Sequence, residues 1–357
     1  MKLLLTGTAG AAGWPEPGCP CASCAGTAGL PARRPFGVLV DDVVAYPWAG
    51  APPGYEVLAG GLGLAGPDGG RLLYAPADRE VPLDASAPYD VVLIDVLDRP
   101  ERLGALTRAG AVSSGTRVVA VGLDHRARSP RELDRRLRLW GAVSVPDGTV
   151  LHTTPTEPDD PTPDTTAGVD GPADTTTRPD GVVPGQPRRA LVLGGSRSGK
   201  SAEAELRLAA EPYVTYLATG PAGDGDPEWA ARVRAHRVRR PAHWDTVETT
   251  DLAGAIRTAA APLLIDGLGT WLAAVFDEHA AWDGDHAPVL GRCEELVDAW
   301  RRARGRVVAV SDEAGMGVVP ATASGRAFRD ALGRLNERLA AESEEVTLVV
   351  AGRPLSL

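Results

Sequence analysis

The apolar residues of this 357-residue chain fall into two series of short runs, separated by a stretch that has almost none. In the first series, residues 2–6 (Lys-Leu-Leu-Leu-Thr) read as an opening strand, and 36–40, 55–58 and 71–75 as short strands of a meandering sheet. The uninterrupted run Val91-Val92-Leu93-Ile94, ending in Asp95, has the pattern of a strand covered on both faces. Residues 100–110 and 130–140 carry helical spacing, and a strand over 117–122 between them leads to Asp124-His125. In the second series, strands are expected at 190–193, 213–218, 261–266, 306–311 and 346–351, with helices at 202–208, 227–238 and 326–341. Proline in the first turn suits the helix at 227. Strands alternating with helices imply a mostly parallel α/β sheet, whose ligands bind beyond the carboxyl ends of the strands.

Residues 153–187 are rich in Thr, Pro, Asp and Gly and show no period. Such a stretch buries too little apolar surface to offset its ordering entropy, so a disordered tether is expected there. The chain therefore divides into 1–152, the tether, and 188–357, as its length also suggests. The net charge is −10, and the tether holds seven acids against one arginine. The two flanking parts are then close to neutral, which argues against a nucleic-acid partner. The apolar run at the N-terminus is too short for a signal peptide, and no stretch approaches a membrane span. A soluble cytoplasmic protein is expected.

Chemistry concentrates at Gly194-Gly195-Ser196-Arg197-Ser198-Gly199-Lys200-Ser201, a G-x-x-x-x-G-K-S loop between an apolar strand and a helix. Its glycines let backbone N–H groups close on phosphate oxygens at a helix N-terminus. Lys200 would reach the β/γ-phosphates and Ser201 a Mg²⁺ ion. Asp266, at the end of an apolar strand, would hold that Mg²⁺ or serve as a helix cap. Five arginines surround His236 in residues 231–240. That stretch is either a solvated basic helix face or, beside a nucleotide, an imidazole nucleophile among cations that neutralise phosphate charge. In the first part, Cys19, Cys21 and Cys24 form a C-x-C-x-x-C knot that suits Zn²⁺, or remain as free thiols in a turn.

Two resemblances follow. Gly7-Thr8, Gly13-Trp14-Pro15 and the three cysteines resemble the opening of phosphodiesterase-like metallo-β-lactamase-fold hydrolases, implying an αββα domain over 1–152. The resemblance also implies a structural zinc on Cys19, Cys21, Cys24 and the strand-end His125. The H-x-H-x-D-H pattern is absent and the segment holds only His125 and His152, so this relative is degenerate, with Asp95 a relic or a cap. Residues 188–357 resemble the bifunctional adenosylcobinamide kinase/adenosylcobinamide-phosphate guanylyltransferases. The matching residues are the lysine loop, Tyr216-Leu217-Ala218-Thr219, His236, Arg240-Pro241-Ala242-His243-Trp244, Glu248, Asp266, the segment 313–320, Phe328-Arg329-Asp330 and Asn336. That resemblance implies a P-loop, RecA-like sheet, with ATP, GTP, Mg²⁺ and adenosylcobinamide as ligands and association through this domain. It assigns the guanylylated nucleophile to His236. Nucleotide contacts fall on 194–201, on Ala218, Thr219 and Gly220, on Arg237, Val238, Arg239 and Arg240, and on Glu248 and Asp266. His243 is the alternative nucleophile. A P-loop NTPase switch or a nucleotide-binding scaffold without a covalent intermediate are the alternatives for function.

Overall fold

The computed structural model describes the chain except for residues 28, 49, 83–86, 154–185, 221–233 and 235–239. It forms two compact units, Met1–Thr176 and Thr177–Leu357, and the division falls inside the Thr/Pro/Asp stretch. The expected helix over 227–238 lies, apart from Arg234, outside the described residues.

The first unit holds two sheets. One has β1 (Lys2–Gly7) antiparallel to β2 (Gly37–Val40), with β3 (Val44–Ala45) beyond β2 and β9 (Val150–His152) on the other side of β1. The other runs β4 (Glu56–Leu58), β5 (Gly63–Ala65), β6 (Arg71–Ala75), β7 (Val91–Ile94), β8 (Arg117–Ala120), antiparallel as far as β6 and parallel thereafter. Alternation buries Leu3 and Leu5 of β1, and these join Val38 and Val40 with Leu72, Val91, Leu93 and Val119 in one core. The two sheets therefore face one another across a shared apolar layer. The short helix α1 (Ala22–Gly26) follows the cysteine knot, and α2 (Glu101–Arg108) makes the crossover between the parallel β7 and β8. The helix α3 (Pro130–Leu139) starts as the Ser-Pro-Arg-Glu sequence dictates, with Ser129 Oγ accepting from the Glu132 N–H at 3.2 Å.

The second unit is a seven-stranded sheet covered on both faces. Its elements are β10 (Arg189–Gly194), α4 (Lys200–Leu208), β11 (Thr215–Ala218), β12 (Asp245–Glu248), α5 (Leu252–Thr258), β13 (Leu263–Asp266), α6 (Leu268–Glu278), α7 (Ala287–Arg301), β14 (Val307–Asp312), α8 (Ala323–Ala341), β15 (Glu345–Val350) and β16 (Arg353–Ser356). Strand order is β12-β11-β13-β14-β10-β15-β16, parallel throughout except for the final β15–β16 hairpin. Along β10, Leu191 and Leu193 face the core that holds α6, α7 and α8 residues, while Ala190 and Val192 face the core with Ala204 and Leu208 of α4. This strand is a central one, and its ends are fixed from both sides. Among the described residues no helix is long and apolar enough to cross a membrane.

Candidate functional site

The lysine loop is placed by β10, which stops at Gly194, and by α4, whose first residue is Lys200. Gly199 has φ +96°, a left-handed conformation that a side chain resists, and a Cβ on Gly194 would lie 2.5 Å from Ser198 Oγ. The β15–β16 turn supports the loop from beneath, with the Gly352 N–H donating to the Ser198 carbonyl at 2.8 Å.

Lys200 is buried, and its Nζ meets Asp312 Oδ1 at 2.7 Å and the Gly195 carbonyl at 3.2 Å. Asp312 ends β14 beside Gly194 in register. In the sequence it is one of two acids, with Glu313, that follow an apolar run, and no local pattern says which base it meets. Asn336 of α8 fixes that strand end. It donates from Nδ2 to the Asp312 carbonyl at 3.0 Å and accepts from Ser311 Oγ at 2.6 Å.

Asp266 lies one strand away. Its Oδ1 accepts from Ser201 Oγ at 3.1 Å and its Oδ2 from the Tyr216 hydroxyl at 2.7 Å. Burial, reinforced by the Asp266 charge, lifts the Tyr216 phenol far above its ordinary range, so it stays a donor. The Arg240 guanidinium stacks over the Tyr216 ring at 3.5 Å. Tyr216 thus meets Asp266 through its hydroxyl and the end of the arginine-rich segment through its ring, a role its sequence position did not disclose. Ala218 pairs in register with Glu248 on one side and Asp266 on the other, so all three strand ends share one edge. Next to them Thr219 Oγ1 donates to the Gly267 carbonyl at 2.7 Å, and Gly220 follows it. Asp266 is not a helix cap: Gly267, at φ +117°, holds that position for α6.

His236, Arg237, Val238 and Arg239 lie outside the described residues. His243, the alternative nucleophile, is placed away from the site. Its Nε2 lies 3.3 Å from the Glu211 carbonyl, at the amino-terminal edge of the sheet, opposite the lysine loop.

In the first unit, one donor atom each of Cys19, Cys21, Cys24 and His125 lie within 4.8 Å of one another. The His125 Nδ1 is 3.6 Å from Cys19 Sγ and 3.8 Å from Cys24 Sγ. Three sulfurs and an imidazole around Zn²⁺ would sit about 3.8 Å apart from sulfur to sulfur, so the donor set and its spacing fit that ion. Backbone N–H groups of Glu16 and Cys24 donate to Cys24 Sγ and Cys21 Sγ, each at 3.4 Å, which suits thiolates. Glu16 Oε2 also lies 3.1 Å from the same His125 nitrogen, as a competing partner. At the ends of β7 and β8, Arg126 binds Asp95 and Asp98 at 2.9 Å each and Asp124 at 2.8 Å. Burial raises the Asp95 carboxyl above its ordinary value and the Arg126 charge opposes that rise.

Comparison with known proteins points the same way as the second unit. Residues 190–357 match the family described as cobinamide kinase / cobinamide phosphate guanyltransferase. The bifunctional adenosylcobalamin biosynthesis protein CobP of Pseudomonas aeruginosa is 42% identical over 177 residues, covering 47% of this chain and 96% of that protein. The CobU proteins of Salmonella typhimurium and Escherichia coli, with the same description, are 40% and 37% identical, each covering 45% of this chain and 95% of its own length. Among solved structures, a type III secretion system ATPase aligns over 47% of this chain and 56% of that chain, at 12% identity and a TM-score of 0.32, too slight a likeness to bear on function.

Proposed function

The chain belongs to the cobinamide kinase / cobinamide phosphate guanyltransferase family, and from that premise we propose that one site around the 194–201 loop carries both reactions, using ATP or GTP, GTP, and adenosylcobinamide. The observation that carries this reading is the meeting of Lys200, Ser201 and two strand-end acids at the carboxyl edge of a parallel sheet. A hydroxyl oxygen and a carboxylate 3.1 Å apart are the hard donors that Mg²⁺ takes. Ser201 and Asp266 would hold Mg²⁺, which would supply charge neutralisation for the triphosphate. Ser201 keeps its lone pairs for the cation because its proton is committed to Asp266. Lys200 exchanges Asp312 for phosphate oxygens when the nucleotide enters.

In the kinase step the acceptor hydroxyl oxygen attacks the γ-phosphorus, the bond to the nucleoside diphosphate breaks, and the hydroxyl proton leaves to solvent. In the second reaction a ring nitrogen of His236 attacks the α-phosphorus of GTP and pyrophosphate departs. An oxygen of the new cobinamide phosphate then attacks that phosphorus, the P–N bond breaks, and the imidazole is restored. Arg237, Val238, Arg239, Arg240 and Glu248 are assigned to the nucleotide on the strength of the family resemblance. Of Arg237, Val238, Arg239 and Arg240 only Arg240 is described, and its stack on Tyr216 supports a place beside the site. We assign the first unit to a degenerate metallo-β-lactamase-like domain that holds a structural zinc on Cys19, Cys21, Cys24 and His125. Its facing sheets and the converging donors support this, and Arg126 already neutralises Asp95. A cytoplasmic setting fits these substrates and four cysteines that form no disulfide.

The test is conversion of adenosylcobinamide to its phosphate and then to the GDP derivative by the purified full chain. Ser201→Ala and Asp266→Asn should each lower kinase turnover by at least about a hundredfold, the scale of losing a positioned charge-stabilising group. Unchanged turnover in Asp266→Asn would remove Asp266 from the metal site.

A further inference from the structure

The segment between β14 and α8 is held firmly and yet turns apolar side chains to water. From α8, Asn336 donates to the Asp312 carbonyl at 3.0 Å, Arg329 to the Gly315 carbonyl at 2.7 Å, and Arg326 to the Pro320 and Ala321 carbonyls at 3.0 and 2.7 Å. Glu313 Oε1 accepts from the Gly315 N–H at 3.1 Å. Between these anchors Met316 is 77% exposed, Val318 94% and Val319 62%. Exposed apolar residues are ordinary when scattered singly. Three within four residues, on a loop ordered by donors from one helix, form a contiguous patch that marks a binding surface.

Its position says what the patch meets. The segment leaves β14 directly after Asp312, the carboxylate on Lys200, and the Glu313 N–H donates to the carbonyl of Gly194 at the head of the lysine loop, 3.2 Å away. The patch therefore rims the edge where phosphoryl transfer takes place. A corrinoid is far wider than the loop that binds the phosphates. It offers broad apolar faces and ring methyls, edged by amides, which need an apolar support next to the reacting hydroxyl.

We propose that Met316, Val318 and Val319 form the ledge on which the corrin ring of the acceptor rests, with the Arg326, Arg329 and Asn336 side chains of α8 anchoring the segment that carries it. This rests on the kinase and guanylyltransferase reading of the same site. The ledge sets specificity for the acceptor and takes no part in holding the nucleotide. GTP alone, with no corrinoid present, is therefore handled normally when the ledge is altered.

The test uses the full chain and the variants Val318→Ser and Met316→Gln, both at exposed positions that carry no core packing. Binding of cobinamide is followed by equilibrium dialysis, read from its visible absorbance, together with the KM for adenosylcobinamide and for GTP. Each variant should weaken cobinamide binding and raise the acceptor KM roughly tenfold, as expected for losing the burial of one such side chain. The GTP KM and the labelling of the protein by GTP alone should stay within about twofold of the starting protein. Unchanged cobinamide binding overturns the proposal. So does a fall in mass by sedimentation, which would make the patch an interface between copies of this chain. Failure of the unaltered protein to convert adenosylcobinamide at all would instead reject the reading on which the ledge rests.

Discussion

Replacing Tyr216 by Phe removes one oxygen atom and leaves the ring. The ring still fills its site and still lies under Arg240, so neither the core nor the stacking contact is disturbed. What is lost is the hydrogen bond from the buried phenol to Asp266 Oδ2 at 2.7 Å. A hydrogen bond to a charged partner contributes about 1.5–3 kcal/mol, and the half-buried carboxylate recovers part of it from water, leaving a cost of about 2 kcal/mol. In a domain of this size that loss lowers Tm by about 4–8 °C. Calorimetry on the full chain reads it directly, and the transition of the second unit is identified as the one GTP raises. The pH dependence adds a sign. The folded-state phenol titrates above its unfolded value, so its contribution is complete below about pH 10 and is lost as the pH rises from there. The gap in Tm between the two proteins should therefore narrow from pH 9 to 11. A Tyr216→Phe protein with unchanged Tm, or with a gap constant across that range, would refute the bond to Asp266.

Two further outcomes concern the first unit. Metal analysis of the purified chain should find about one zinc, and Cys21→Ser should lose it and unfold the first unit at lower temperature, because binding free energy of a structural metal adds to folding free energy. A metal-free protein of unaltered stability would reject the site. Arg126→Met leaves Asp95, Asp98 and Asp124 without their shared cation. It should cost about 2–3 kcal/mol near pH 7, below the value for a fully buried pair because Arg126 is partly exposed. Asp95 already has a raised folded-state pKa, so its protonated form is favoured in the folded chain and the deficit should shrink as the pH falls toward 4. A deficit that does not change with pH would mean that these carboxylates are not what the guanidinium steadies.

Much of the fold was written in the chain as short apolar runs. Strand β7 ends at its apolar limits because all four of its residues are apolar and buried, and β6 extends beyond its apolar run by Arg71 alone. Strand β12, Asp-Thr-Val-Glu, was not legible: all four residues are exposed and pairing with β11 alone makes it a strand. β16 carries Pro354, tolerated because this strand is an edge, and its existence depends on β15 beside it. The helix α6 buries Leu268, Trp271, Leu272, Val275 and Phe276 at helical spacing, but the small Ala273 and Ala274 on its outer face blur the contrast that would mark it. The site divides the same way. The lysine loop is local, and its glycines and lysine declare it. Lys200 with Asp312, and Tyr216 with Asp266, are joined by the register of parallel strands, which no local pattern encodes. His125 stands beside the cysteines only because the strand end and the knot meet in the fold.

The covalent step proposed for this chain places GMP on His236. Incubation of the full chain with GTP labelled at the α-phosphorus, without corrinoid, should give a protein-bound label that survives alkali and is lost in acid, as a phosphoramidate does. His236→Asn should abolish it, and adenosylcobinamide phosphate should discharge it from the unaltered protein. Label retained by His236→Asn would refute the assignment to His236, and His243, at the opposite edge of the sheet from the lysine loop, is poorly placed to replace it.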